Sequence, residues 1–173
     1  MVASSATHSV SGRLAAFETA HAAAICAWAR TDEEVYRLAP STPPPLTEEK
    51  VLEWQRPDGR SFIYRLTENG PPAAYGEVNP MIGQARHLWL GHCVVDPSHR
   101  RCGIGTEFIR ALLHVAFGEL NAERVSLIVF PENEPAIRCY EKAGFRYAAD
   151  EFHGFSIGAQ VRLLRLEALP AAD

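Results

Sequence analysis

Two periodicities divide the chain. From Phe17 to Ala29 apolar residues recur at helical spacing, with Phe17, Ile25 and Trp28 as the bulky members, which predicts a helix. Thr31 followed three residues later by Glu34 is a capping-box pattern, so a second short helix starts there and Pro40 stops it. "STPPPL" is a stiff connector, and Thr47 caps a third helix whose apolar side is Val51, Leu52 and Trp54. Three strand-like runs follow, "SFIYRL", "PAAYGEV" and "HLWLGHCVV". "ENGPP" makes a hairpin turn at Asn69 and Gly70, "NPMIGQ" separates the second run from the third, and Pro97 prevents the third from continuing. This order predicts an antiparallel meander.

Beyond the meander the period changes to about 3.6. Ile104, Phe108, Leu112 and Val115 share one helical face, with Ile109, Leu113 and Phe117 beside it. "RVSLIVF" is almost uniformly apolar and rich in β-branched residues, as a parallel strand covered on both sides must be. Strand, helix and strand imply a right-handed βαβ crossover. Asn133 at the cap, Pro135 in the first turn and Gly144 just past the end delimit another helix, and "FRYAADEF" and "AQVRLLRLEAL" read as two closing strands. The expected architecture is an α/β (α+β) fold: a central mixed sheet, with a meander and a βαβ unit, flanked by helices. One domain is expected across residues 1–173, with about the first twelve, "MVASSATHSVSG", as a frayed terminus.

Composition narrows the function. A hydrophobic fraction of 47% against 22% charged argues for a packed core rather than disorder. A net charge of −4 provides no electrostatic footprint for nucleic acid, and no apolar run approaches membrane-spanning length. The Ala-rich stretch from Ala20 to Ala29 is interrupted by His21, bracketed by Glu18 and Arg30, and preceded by no charged region, so it does not read as a signal peptide. Cys26, Cys93, Cys102 and Cys139 show neither C-x-x-C nor His spacing, so no metal site is signalled and reduced thiols of a cytoplasmic protein are expected.

Against that acidic balance, "HRRCGIGTEF" concentrates two cations and two glycines where the best helix begins. A strand leading through a glycine-rich turn into a helix leaves backbone N–H groups unpaired at the positive end of the helix dipole. Gly103 and Gly105 allow a bulky anion close to the main chain and Arg100 and Arg101 add charge, which suits a pyrophosphate. No Gly-Lys-Ser/Thr follows, which excludes the Walker type, and Phe108 stands where a dinucleotide fingerprint needs its third glycine.

The whole segment "VVDPSHRRCGIGTEFIRALLHVAF" resembles the acetyl-CoA signature of the GNAT superfamily of N-acetyltransferases, with Arg100, Gly103 and Gly105 at its defining places. Some forty residues on, "FPENEPAIRCYEKAGF" is similar to that family's second signature at Asn133, Ala136, Tyr140, Gly144 and Phe145. The resemblance is strongest from Tyr75 to Tyr147. Cys102 departs from it, since many members carry a basic or polar residue there.

What the resemblance implies is an acetyl-CoA-dependent N-acetyltransferase that passes the acetyl group directly to a primary amine of a small molecule or a protein amino terminus. The strand around Cys93, Val94 and Val95 would part from the strand at Val125 to Phe130 and admit the pantetheine arm. Main-chain groups near Val94 would pair with that arm. The turn from Arg100 through Arg101, Cys102, Gly103, Ile104 and Gly105 to Thr106 would hold the diphosphate, with Asn133, Ala136 and Tyr140 completing the cofactor site. Tyr140 is expected as general acid, and Glu77 or His92 as the base that deprotonates the amine. His87, His99 and His153 are expected in ordinary structural roles, and Trp28, Trp54 and Trp89 in core or substrate-wall packing. An acyl-cysteine route is rejected, because no base is paired with any thiol in the sequence. A homodimer is compatible with the resemblance. The reading from another class is a catalytically silent acyl-CoA-binding sensor or interaction module that keeps the groove.

Overall fold

In the computed structural model, which describes residues 13–155 and 159–171, one sheet contains β1 (Arg13–Ala16), β2 (Arg60–Arg65), β3 (Pro72–Pro80), β4 (His87–Val95), β5 (Arg124–Val129), β6 (Arg146–His153) and β7 (Val161–Ala168). Their order is β1-β2-β3-β4-β5-β7-β6. β2, β3 and β4 are the expected meander, β4 and β5 run parallel, and β7 lies antiparallel between β5 and β6. This is the mixed sheet that the sequence implies.

Helices cover both faces. On one, α1 (Ala22–Trp28), α2 (Asp32–Leu38) and α3 (Glu48–Glu53) bury Ile25, Trp28, Val35 and Val51 against Ile63 and Tyr75 of the sheet. On the other, α4 (Ile104–His114) buries Ile104, Phe108, Ile109 and Leu112 against Ala74, Val78, Leu90, Val125 and Leu127, and α5 (Glu134–Ala143) lies beside it. The capping box at Thr31 forms as expected: Glu34 N–H donates to Thr31 Oγ1, and the Glu34 carboxylate accepts from Thr31 N–H. Thr47 caps α3 through Lys50 N–H.

The structure departs from the sequence reading at several points. The helix expected over Phe17–Ala29 is a short 3₁₀ turn at Thr19–His21 followed by α1, and it is preceded by β1, which pairs antiparallel with β2 on the outer edge of the meander. Leu52 is exposed rather than part of the apolar side of α3. The long helix loses its α-helical register after His114 and finishes as a π-turn over Val115–Glu119. Asn133 stands at the cap position of α5 without making a side-chain cap bond. The frayed terminus assigned to residues 1–12 lies outside the described residues.

His87, at the foot of β4, is held between Gln84 Oε1 at 2.7 Å and Ser126 Oγ at 2.5 Å. Burial holds its imidazole below the ordinary 6.5, and burial followed by the Arg65 charge does the same for His21. The unfolded chain therefore takes up protons near pH 6.5 that the folded chain accepts only at lower pH. The stability these neutral rings contribute is present above 6.5 and is lost as pH falls from 6.5 through the folded values, by at most about 1.4 kcal/mol per pH unit per ring. Thermal melts should show a Tm that drops between pH 7.5 and 5.5 and drops less in His87→Gln; equal slopes would contradict this.

Candidate active site

Pairing between the two parallel strands stops early. His87, Leu88 and Trp89 of β4 face Arg124, Val125 and Ser126 of β5, and the ladder goes no further. β4 continues along β3 to the Val95–Ala74 pair, and β5 continues along β7 to the Val129–Leu164 pair. The two strands therefore diverge beyond Trp89 and Ser126 and leave a wedge-shaped gap between them. Val125, expected in the gap, is paired, so the opening begins one turn of the pleat later. Asp96 donates its amide to Ala73 O at 2.9 Å, which turns the preceding carbonyl, that of Val95, away from β3. The main chain presented to the gap is thus that of Val95, and Val94 faces β3.

At the end of β4 the Asp96 carboxylate accepts from Ser98 N–H and fixes a 3₁₀ turn at Pro97–His99. The chain then takes left-handed conformations at Arg101 (φ 62°) and Gly103 (φ 89°) before α4 begins. Gly103, at the cap position, makes no side-chain cap bond, and the first amide to bond back into the helix is that of Glu107, to Gly103 O at 3.1 Å. The amides of Ile104, Gly105 and Thr106 therefore point out of the helix at its positive end. A Cβ built on Gly103 would meet nothing within 4 Å, so the turn is open at that residue. Uncapped amides at an open turn suit an anion such as a diphosphate.

Two residues of the turn act differently from expectation. A Cβ on Gly105 would lie 3.1 Å from Cys139 Sγ and 3.5 Å from Val95 Cγ2, so this glycine lets α4 sit close on α5 and β4. The Arg100 guanidinium, expected to add charge for the phosphates, is turned inward. It donates to Val95 O at 3.1 Å, to Glu34 Oε1 at 2.9 Å and to Trp28 O at 2.9 Å. A guanidinium carries five donors in a rigid fork, which suits it to two carbonyls and a carboxylate at once. Arg100 thus ties α1 and α2 to the gap strand, and its hydrogen bond is the first cause holding the Glu34 carboxyl below its ordinary value. Both side chains are partly exposed, so screening limits the pair. Arg100→Ala should cost about 1 kcal/mol, mostly from the lost carbonyl bonds. The double variant with Glu34→Gln should be less destabilised in denaturant melts than the sum of the two; full additivity would contradict the contact.

On the α4 and α5 side of the gap, Tyr140 packs edge-on against Phe145 at 5.9 Å. No hydrogen bond among the described residues engages its hydroxyl. Burial, followed by the neighbouring thiols of Cys93 and Cys139, pushes its phenol well above the ordinary range. The same burial raises the thiols of Cys93, Cys139 and Cys26, which keeps them protonated and unsuited to attack. Asn133, with no cap bond, and Ala136 stand at the start of the same helix.

The opposite face of the sheet holds Glu77 and His92 together, with His92 Nδ1 at 2.8 Å from Glu77 Oε1. Glu77 is 2% exposed, and it also accepts from Tyr75 Oη at 2.7 Å and Asn79 Nδ2 at 3.0 Å. Gln55 Nε2 donates to Tyr75 Oη at 2.9 Å, and the Trp54 indole stacks on the His92 ring at 4.1 Å. Of the other histidines, His99 lies 3.5 Å from Asp96 and His153 lies 2.6 Å from Glu151. Sequence reasoning misses Tyr75, Asn79, Gln55 and the stacking role of Trp54. The signal that could have found the first two is Tyr75-x-Glu77-x-Asn79, three polar-tipped residues at the spacing that puts them on one face of a strand. Among the described residues no group of histidine, cysteine and carboxylate side chains could hold a metal ion, and no helix is long and apolar enough to cross a membrane.

The family model described as Acetyltransferase (GNAT) family matches residues 22–145. An aminoglycoside N(6')-acetyltransferase type 1 of Klebsiella pneumoniae is 30% identical over 87 residues, 44% of this chain and 43% of that protein. A spermidine N(1)-acetyltransferase of Escherichia coli K12 is 33% identical over 69 residues, 40% of this chain and 37% of that protein. The chain thus aligns with less than half the length of these relatives. Among solved structures, AAC(6')-Ib in complex with ribostamycin and coenzyme A superposes with a TM-score of 0.74 at 20% identity, over 92% of this chain and 93% of that one, a likeness of fold.

Proposed function

The chain belongs to the acetyltransferase (GNAT) family, and from that premise we propose that it transfers an acetyl group from acetyl-CoA directly to a primary amine of a small molecule or a protein amino terminus. The observation that carries the reading is the parting of β4 from β5 beside the uncapped start of α4. The amides from Arg101 to Thr106 hold the diphosphate, the main chain at Val95 lines the arm, and Asn133 and Ala136 complete the site. Bound there, acetyl-CoA supplies an acetyl group activated as a thioester.

The two faces of the sheet divide the work. Tyr140 stands on the α4 and α5 side, and its phenol, protonated at neutral pH, gives its proton to the sulfur as the carbon–sulfur bond breaks and the carbon–nitrogen bond forms. The main chain at Val95 is placed to steady the charge that builds on the acetyl oxygen. The amine enters from the α1–α3 side, where Glu77 and His92 stand; a proton lost from its nitrogen restores the phenol. Both relatives described above are named for amine-bearing small molecules, which supports that acceptor class.

Release of free thiol from acetyl-CoA, followed with spermidine, kanamycin, amino acids and a peptide amino terminus, tests the proposal. Amine-dependent release is expected. Tight acetyl-CoA binding with no release above the amine-free rate would favour a silent binding module.

A further inference from the structure

Resting on that reading, we infer that His92 is the group that takes the acceptor's proton, with Glu77 as its buried counter-anion and Trp54 as the plate that fixes its ring. Sequence alone leaves Glu77 and His92 as equivalent candidates, and burial separates them. Glu77 is 2% exposed and both its oxygens already accept from neighbouring side chains, Oε1 from Tyr75 and His92 and Oε2 from Asn79, so it is shut away from an acceptor that arrives through solvent. The His92 side chain is 27% exposed. Its Nδ1 lies against a carboxylate that can only accept, so Nδ1 carries the hydrogen and Nε2 keeps the lone pair.

The ring is held from two further directions. Trp54 stacks on it with 15° between the planes, and the indole is itself anchored by Nε1–H donating to Thr42 Oγ1 at 3.0 Å. Gln55 donates to Tyr75 Oη, which directs the tyrosine hydroxyl proton to Glu77. The backbone contributes as well. Between the pairs Tyr75–Val94 and Glu77–Gly91, β4 holds one residue more than β3, a bulge in which His92 takes φ 45°. Such a bulge re-aims side chains, and a left-handed histidine is strain of the kind found at functional sites. Its neighbour Cys93 packs on the α4 face, where a Cβ on Gly76 would meet its sulfur at 2.9 Å. The bulge thus sends His92 to the acceptor face.

In the step assigned to His92, an N–H bond of the acceptor ammonium breaks, its electron pair stays on nitrogen, Nε2–H forms, and the proton then leaves to water. Glu77, bonded to the ring, and Tyr75, which donates to Glu77, are the ionisable groups brought to it from β3, and the chain just past α3 presents the uncharged Trp54 and Gln55. Trp54 and Glu77 are positioning residues, since both act through His92.

The test uses the full chain and two readouts. Nitrogen-15 NMR of the histidines should show His92 as the Nδ1–H tautomer, and Glu77→Gln should lose that preference while still binding acetyl-CoA. With an amine that the wild type acetylates, His92→Gln should lower kcat by about 10²–10⁴-fold, with acetyl-CoA affinity retained. Trp54→Ala should lower kcat, and Trp54→Phe, which keeps a stacking ring, should restore most of it. A wild-type rate in His92→Gln, or an Nε2–H tautomer, would overturn this inference and leave the acetyltransferase reading standing. No amine-dependent turnover by the wild type would overturn both.

Discussion

Replacing Tyr140 by phenylalanine will lower kcat by about 10²–10⁴-fold and leave acetyl-CoA affinity nearly unchanged. The substitution removes one oxygen and keeps the ring that packs edge-on against Phe145, so α5 should stay in place. What disappears is a proton donor with no competing partner among the described residues. Burial makes that phenol a weaker acid than an exposed tyrosine, so it stays protonated through neutral pH and is present as a hydrogen-bond and proton donor when negative charge develops on the departing sulfur. Thiol release gives kcat and calorimetric titration gives the affinity. An unchanged kcat would remove the acid role from Tyr140; a large loss of affinity would make it a packing residue.

The largest effect on stability is expected at Phe108→Ala. Phe108 is 1% exposed, lies beneath the meander with its ring 5.7 Å from that of Tyr64, and would touch a Cβ on Gly76 at 3.0 Å, so the sheet and α4 are in close contact there. Emptying that space should cost about 3–5 kcal/mol, transfer and cavity terms together. For a chain of this size it should lower Tm by about 6–20 °C. Because the turn proposed to hold the diphosphate opens α4, acetyl-CoA affinity should weaken in the same variant. A Tm lowered by only a degree or two would mean that α4 is not anchored where the structure places it.

The strongly periodic parts of the chain are legible in the amino-acid sequence alone. The apolar runs of β2 to β4 mark strands between two covering layers, and the 3.6-residue repeat from Ile104 to Val115 has one apolar face, which is the face α4 buries. β1 is not legible, because Arg13-Leu14-Ala15-Ala16 has no alternation; it is a strand because β2 offers it hydrogen bonds. The open turn into α4 is legible because its signals are local: glycines, a strand end and a helix start within a few residues. The role of Arg100 is hidden for the opposite reason. Its acceptors include Trp28 O and Glu34, which no local pattern brings near. Glu77 and His92 are both visible as titratable residues, but their contact depends on a bulge in β4, and a bulge shifts register without leaving a period.

A crystal structure grown with coenzyme A tests most directly whether the parted strands and the uncapped helix start form the cofactor site. Diphosphate oxygens on the amides of Ile104, Gly105 and Thr106, with the pantetheine arm between β4 and β5, is the predicted result. A ligand bound elsewhere, with those amides bonded inside the protein, would contradict it.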